Sequence, residues 1–122
     1  MMQTLTQFIH QIENDPETIA FQDVIKQIDA NYHYTPTRFI NGKNEDSVTN
    51  LAGENTGSCK IFSFAKIHGL DKTKTLHCFG QYYRQDVLQH PDNTDHANIR
   101  SFIKYGWGNI CFDNAALVLK EG

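Results

Sequence analysis

The chain has 122 residues, of which 39% are apolar and 20% charged, with eight Phe, five Tyr and one Trp. That composition excludes a disordered segment, and a chain of this length can bury about two-thirds of the surface its unfolded form exposes. A net charge of −3 and a pI near 6.0 exclude a global field for holding nucleic acid or an anionic membrane, so any anion site must be local.

The first helix is written in Leu5, Phe8, Ile9 and Ile12, which recur at helical spacing before Asp15-Pro16 breaks the run. Glu13, Asp15, Glu17 and Asp23 accompany no Lys or Arg in this opening stretch, so it lacks the basic start of a Sec signal peptide, and the expected location is the cytoplasm. The chain also has no unbroken apolar run of membrane-spanning length. Val24, Ile25 and Ile28 begin a second helix expected to end near Asn31. Tyr32 to Phe39 is rich in strand-favouring residues, although Pro36 confines it to an edge or an irregular extended segment. Asn41 to Gly57 holds three Gly and four Asn, which is long for a structureless connection, so it reads as either a functional loop or a mobile one.

Thr56 or Ser58 is then expected to cap a helix whose inner face is Ile61, Phe64 and Ala65, with Gly69-Leu70 as its left-handed stop. Asp71 caps the next, which carries Leu76, Phe79, Gly80, Tyr83 and Val87 on one stripe and finishes before Pro91, with Gly80 admitting another backbone closely. Asp95 is expected to cap the last helix, with Ile99, Phe102 and Ile103 inward and Gly106-Trp107 folding the indole back on Phe102. Ile110 to Phe112 and Leu117 to Leu119 are short strands. No repeat or linker divides the chain, so the expectation is one α+β domain over 1–122, mostly helical with about five helices and a small sheet from the middle segment and the C-terminal tail.

Four segments carry a resemblance: Pro36-Thr37-Arg38-Phe39-Ile40-Asn41-Gly42, Glu54-Asn55-Thr56-Gly57-Ser58-Cys59-Lys60, Phe79-Gly80-Gln81-Tyr82-Tyr83-Arg84, and the run from His90-Pro91 to Ile99-Arg100, with Gly106-Trp107 after them. In this order they resemble the HopJ family of type III effector proteins from about Phe21 to Phe112. The resemblance implies a bacterial protein and export by a type III system, and it implies no particular reaction.

Three chemistries compete for these residues. A Gly57-Ser58-Cys59-Lys60 turn opening a helix exposes free backbone N–H groups at the positive end of its dipole, which suits a small anionic ligand. Asn55, Gly57, Ser58 and Lys60 would form that site, answered by Arg84, Asn98 and Arg100, with His96, Arg100 and Lys104 on one helical stripe. The plainer reading makes Ser58 a cap and pairs the arginines with nearby carboxylates. The order is not that of a P-loop.

The second chemistry is nucleophilic: Cys59, its pKa lowered by the helix N-terminus and Lys60, with His96 as base or acid and Asn98 or Asp95 orienting the ring, would make a hydrolase or transferase. Against it, free Cys is among the most buried residue types. The third is metal binding, which the spacing of six His and three Cys does not support: no C-x-x-C occurs, and His90 and His96 lack the i, i+4 arrangement. No metal and no cofactor are expected, and the odd cysteine count argues for reduced thiols. Tyr82, Tyr83 and Trp107 read as packing before they read as stacking platforms. The non-enzymatic alternative is an interaction module binding a host or bacterial protein through the 41–57 loop.

Overall fold

The computed structural model describes residues 3–120. Helix α1 (Leu5–Asn14) begins with a reciprocal capping box: the Thr4 side chain accepts from the Gln7 N–H, and the Gln7 side chain accepts from the Thr4 N–H. It buries Phe8 and Ile12, and after a 3-10 turn at Pro16–Thr18 helix α2 (Phe21–Asn31) buries Val24 and Ile28. The chain passes directly from α2 into strand β1 (Tyr32–Tyr34), and Pro36 lies in the extended segment before β2 (Phe39–Asn41).

The 41–57 stretch is more ordered than its composition suggests. After Asn41 closes β2, a 3-10 turn at Asn44–Asp46 leads to β3 (Val48–Asn50), which pairs antiparallel with β2. Two small antiparallel sheets result: β3-β2-β4, where β4 is Ile110–Phe112, and β1-β5, where β5 is Leu117–Leu119. Each sheet joins the middle of the chain to its tail, which is the α+β arrangement expected.

Helix α3 (Thr56–Ile67) is the central element. The predicted inner face of Ile61, Phe64 and Ala65 is only part of it, because Cys59, Phe62 and Ser63 are buried too. A helix covered nearly all round lies within the core. Phe62 sits among Phe39, Phe79, Phe102 and Trp107, with ring centroids 4.8 to 6.3 Å away, so five aromatic rings meet at one place. Gly69, at φ +64, stops the helix as expected, and Trp107 packs edge-on against Phe102 at 5.0 Å while its indole N–H donates to the Leu70 carbonyl.

The helix expected from Asp71 onward is interrupted. Asp71 does cap α4 (Lys72–His77), accepting from the Lys74 N–H, but the chain then turns through Gly80 and resumes as a single π-helical stretch at Tyr82–Val87. Gly80 has φ +58, and a Cβ there would stand 2.6 Å from the Phe21 N, so the close backbone approach is real and is with the start of α2. The last helix, α5 (Ala97–Tyr105), buries Ile99 and Phe102.

Candidate functional site

Neither α3 nor α5 starts in the way its sequence suggests. The N-cap of α3 is Asn55, not Thr56 or Ser58, and the N-cap of α5 is His96, not Asp95. Both hold the left-handed conformation, Asn55 at φ 48 and His96 at φ 53, where N-cap residues are ordinarily extended. Non-glycine residues adopt it only where the surroundings enforce it, and Asn and His are among those that tolerate it best. Neither side chain turns back to cap its helix. Consequently the backbone N–H groups of Thr56, Gly57 and Ser58, and of Ala97, Asn98 and Ile99, find no acceptor among the described residues.

These two uncapped ends open onto one cavity of about 330 Å³. Asn55, Gly57 and Ser58 line one side and His96 to Ile99 another, with Val48, Phe21, Phe79 and Tyr82 supplying apolar wall. A Cβ on Gly57 would stand 2.9 Å from the Phe21 ring, so glycine at this position lets that ring approach the helix end. Phe21 meets Tyr82 edge to face at 5.0 Å, and Tyr82 lies against His96 at 5.3 Å.

A network of four asparagines, three of them buried and Asn55 exposed, fixes the two helix ends relative to each other. The Asn50 side-chain oxygen accepts from the Asn55 amide at 2.6 Å and from the Asn98 amide at 2.8 Å, joining the first residues of α3 and α5 through one atom. Asn50 in turn donates to Asn98 Oδ1, and Asn41 donates to both the carbonyl and Oδ1 of Asn98, at 2.8 and 3.1 Å. Asn41 and Asn50 are fully buried, and Asn41 Oδ1 has no partner. Such a network is costly unless satisfied and specifies one arrangement when it is. Asn41 and Asn50 fall in a stretch whose composition reads as loop; they end β2 and β3, strands of three residues each, too short to show a period.

Among the described residues, His96 and Tyr82 are the titratable groups lining the cavity. The His96 Nε2 lies 3.0 Å from Asp86 Oδ2 and 3.7 Å from Asp95 Oδ2, and Asp95 also pairs with Arg100 at 2.8 Å, which holds the Asp95 carboxyl below its ordinary range.

The cations expected to answer the helix end are committed elsewhere. Lys60 pairs with Asp29 at 2.8 Å and lies over the Tyr34 ring. Arg84 spends its guanidinium on the carbonyls of Pro16, Ile19 and His77 and on His77 Nδ1, tying the π-helical stretch to the α1–α2 connection. Arg100 donates to the carbonyls of Asp95 and Pro91 as well as to the Asp95 carboxylate, and Lys104 to Asp46. None of the four lines the cavity.

Cys59 does not have the character its sequence neighbours suggest. The side chain is fully buried with Sγ 3.8 Å from the Thr37 carbonyl, and burial pushes the thiol pKa up. It faces the backbone of the segment between β1 and β2, makes no hydrogen bond to His96, and does not line the cavity. Cys78 is buried and pushed up to about 12, and Cys111 is exposed. Among the described residues, no three of His, Cys, Asp or Glu gather as a metal-binding group, and no helix is long and apolar enough to cross a membrane.

A mostly helical α+β fold with a polar cavity between two helix N-termini is therefore the class of molecule at hand. The chain belongs to the HopJ type III effector protein family, whose profile matches residues 5–117. It is also similar to a protein of unknown function, VPA0580, whose crystal structure superposes with a TM-score of 0.92 at 47% identity over 98% of this chain and 97% of that one. No curated protein is significantly similar to it.

Proposed function

We propose that the chain binds a small organic anion in the cavity between the starts of α3 and α5. The observation that carries this reading is the pair of uncapped helix ends: among the described residues, five residues lining one space, Gly57, Ser58, Ala97, Asn98 and Ile99, have backbone N–H groups without acceptors, and two positive dipole ends open there. Each dipole end is worth about 0.3–1 kcal/mol to an anion at an exposed position and more where water is thinned out. Because Lys60, Arg84 and Arg100 are engaged elsewhere, recognition falls to neutral donors: the helix amides and the Ser58 hydroxyl.

The size and walls of the cavity set the ligand class. A space of about 330 Å³ bounded by Phe21, Phe79, Tyr82, Val48 and Ile99 suits a carboxylate or phosphate carried on a compact apolar body better than a bare inorganic ion. Amide-resolved NMR titration tests this with benzoate, acetate and sodium chloride at equal ionic strength. Benzoate should move the amide signals of Thr56 to Ser58 and Ala97 to Ile99 at lower concentration than acetate, and chloride should move them least. Shifts that are equal for all three salts, or confined to other residues, would end the reading.

A second reading rests on a separate surface. An apolar hollow of about 410 Å³, bordered by Ile67, Phe112, Ala115, Ala116 and Leu117, lies on α3 and the tail, and Ile67, Val118 and Leu119 are each more than half exposed. This is where an effector exported by a type III system would meet a protein partner. Substituting Ile67 and Val118 by Ser, which should weaken partner binding while leaving the benzoate shifts intact, separates the two readings.

A further inference from the structure

We propose that His96 takes up a proton as an anion enters the cavity, with Asp86 as the residue that positions its ring for this. The inference rests on the anion reading of the cavity and adds the ligand's chemical character: an oxyanion whose binding is coupled to one proton. Three features of the geometry lead to it.

First, the ring is held by one nitrogen only. Asp86 Oδ2 lies 3.0 Å from Nε2, so the carboxylate accepts the Nε2 proton and fixes that tautomer. Nδ1 makes no hydrogen bond among the described residues and is left as a bare acceptor while the ring is neutral. A proton taken up there converts an acceptor that repels an anion's oxygen into a charged donor that binds it.

Second, the charges around the ring favour that change. The groups facing it are Asp86 on the π-helical stretch, Asp95 beside it in sequence at 3.7 Å, and the Tyr82 ring at 5.3 Å; Arg100 is turned to Asp95 and leaves Asp86 to His96 alone. Two carboxylates stabilise the imidazolium, and an anion arriving in the same cavity adds to them, whereas the two carboxylates would repel an anion if the ring stayed neutral.

Third, the position is built for this residue. His96 is the N-cap of α5 at φ 53, and its side chain makes no bond to its own helix. The strained backbone therefore serves the placement of the ring against Asp86 and Tyr82, not the capping of the helix.

The sign follows from linkage. If the bound anion raises the pKa of His96 by one unit, the anion binds the protonated form about tenfold more tightly, and affinity falls as pH rises through the imidazole range. Sulfate is the suitable probe, because its own charge does not change between about pH 5 and about pH 8.5, on either side of the imidazole range. The experiment follows the His96 ring signals and the α3 and α5 amides by NMR in sulfate and in chloride, in the wild-type chain and in the His96→Asn and Asp86→Asn variants. Asn is chosen at 96 because it tolerates a positive φ.

The expected result has sulfate raising the His96 pKa and binding about tenfold more tightly at the acid end. His96→Asn should keep weak binding and lose its pH dependence, and Asp86→Asn should lower the pKa of His96 and displace the profile toward acid. Sulfate shifts at the amides with equal affinity at both ends of the range would overturn the proton linkage and leave the anion site standing. A pH dependence unchanged in His96→Asn would do the same. Amides that answer benzoate but ignore sulfate throughout would overturn the proton-coupled oxyanion proposal and leave the anion site standing, and amides that ignore both would remove both.

Discussion

Replacing Asn50 by Ala tests whether the asparagine network holds the two helix ends together. Asn50 does not line the cavity, so its loss acts only through support. It makes five hydrogen bonds: three at 2.6, 2.8 and 3.1 Å to Asn55 and Asn98, and two at 3.3 Å to the carbonyls of Phe39 and Val48. Counting the three shorter ones at about 1 kcal/mol each gives about 3 kcal/mol, and the Asn98 amide, which has no other acceptor, adds about 1 kcal/mol or more as a buried unsatisfied donor. A loss of about 4 kcal/mol is a large share of the 5–15 kcal/mol that roughly spans domain stabilities, and lowers Tm by about 12–20 °C. Urea and thermal denaturation followed by far-UV circular dichroism measure it, with exposed Asn114→Ala as the control. Asn50→Asp should be worse near neutral pH and recover as pH falls, since a carboxyl at this position must bind a proton to donate at all. A loss below about 1 kcal/mol for Asn50→Ala would mean that the network does not carry the helix ends and that their positions are set by the surrounding apolar core.

Alkylation by a neutral haloacetamide should reach Cys111 in the native chain at a rate typical of an exposed thiol, while Cys59 and Cys78 react only on unfolding; native labelling of Cys59 as fast as that of Cys111 would restore it as a nucleophile. Gly69→Ala and Gly80→Ala both place a Cβ at positive φ, which costs about 1–2 kcal/mol, but only Gly80 also collides with the Phe21 backbone, so its variant should lose at least about 1 kcal/mol more in urea denaturation. Equal losses would show that the α2 start yields freely. Burial lowers the pKa of His68, and burial together with the Arg84 charge lowers that of His77. Both bind protons more readily when unfolded, so stability should decline as pH falls from the unfolded value of about 6.5 toward the folded ones. His68→Gln should flatten that decline in a stability-against-pH series, and a wild-type curve level across this window would refute the assignment.

The elements visible in the sequence are those whose signal is local. The apolar spacing of α1 and α2, the Asp71 cap, and the Gly69 and Gly106 stops each act within one turn of chain, and each is found where it was expected. What the sequence hid depends on distant partners. The helix after Asp71 has an uninterrupted apolar stripe, yet it breaks at Gly80 because the start of α2 occupies the space a continuous helix would need. The β2-β3 hairpin is three residues on each side and ends in asparagines, a composition that reads as loop until Asn41 and Asn50 find Asn98, 57 and 48 residues further along.

The same distinction explains the candidate site. Its neutral members were legible, because Asn55, Gly57, Ser58, His96 and Asn98 stand at two predicted helix starts, and the fold brings those starts to one cavity. Its charged members were not, because a cation's position in sequence says little about the carboxylate or carbonyl that claims it. Lys60 adjoins Cys59, yet its long side chain reaches Asp29; Arg84 lies near the cavity wall in sequence, yet it binds backbone of the α1–α2 connection. With the cations spent on structure, selectivity at the cavity rests on backbone amides, which carry no formal charge, and on one histidine, which carries charge only when protonated. On the proposed reading, a site of that composition should bind an anion weakly at high pH and hold it when a proton comes with it, so its affinity should depend on pH far more than that of a lysine- or arginine-based site.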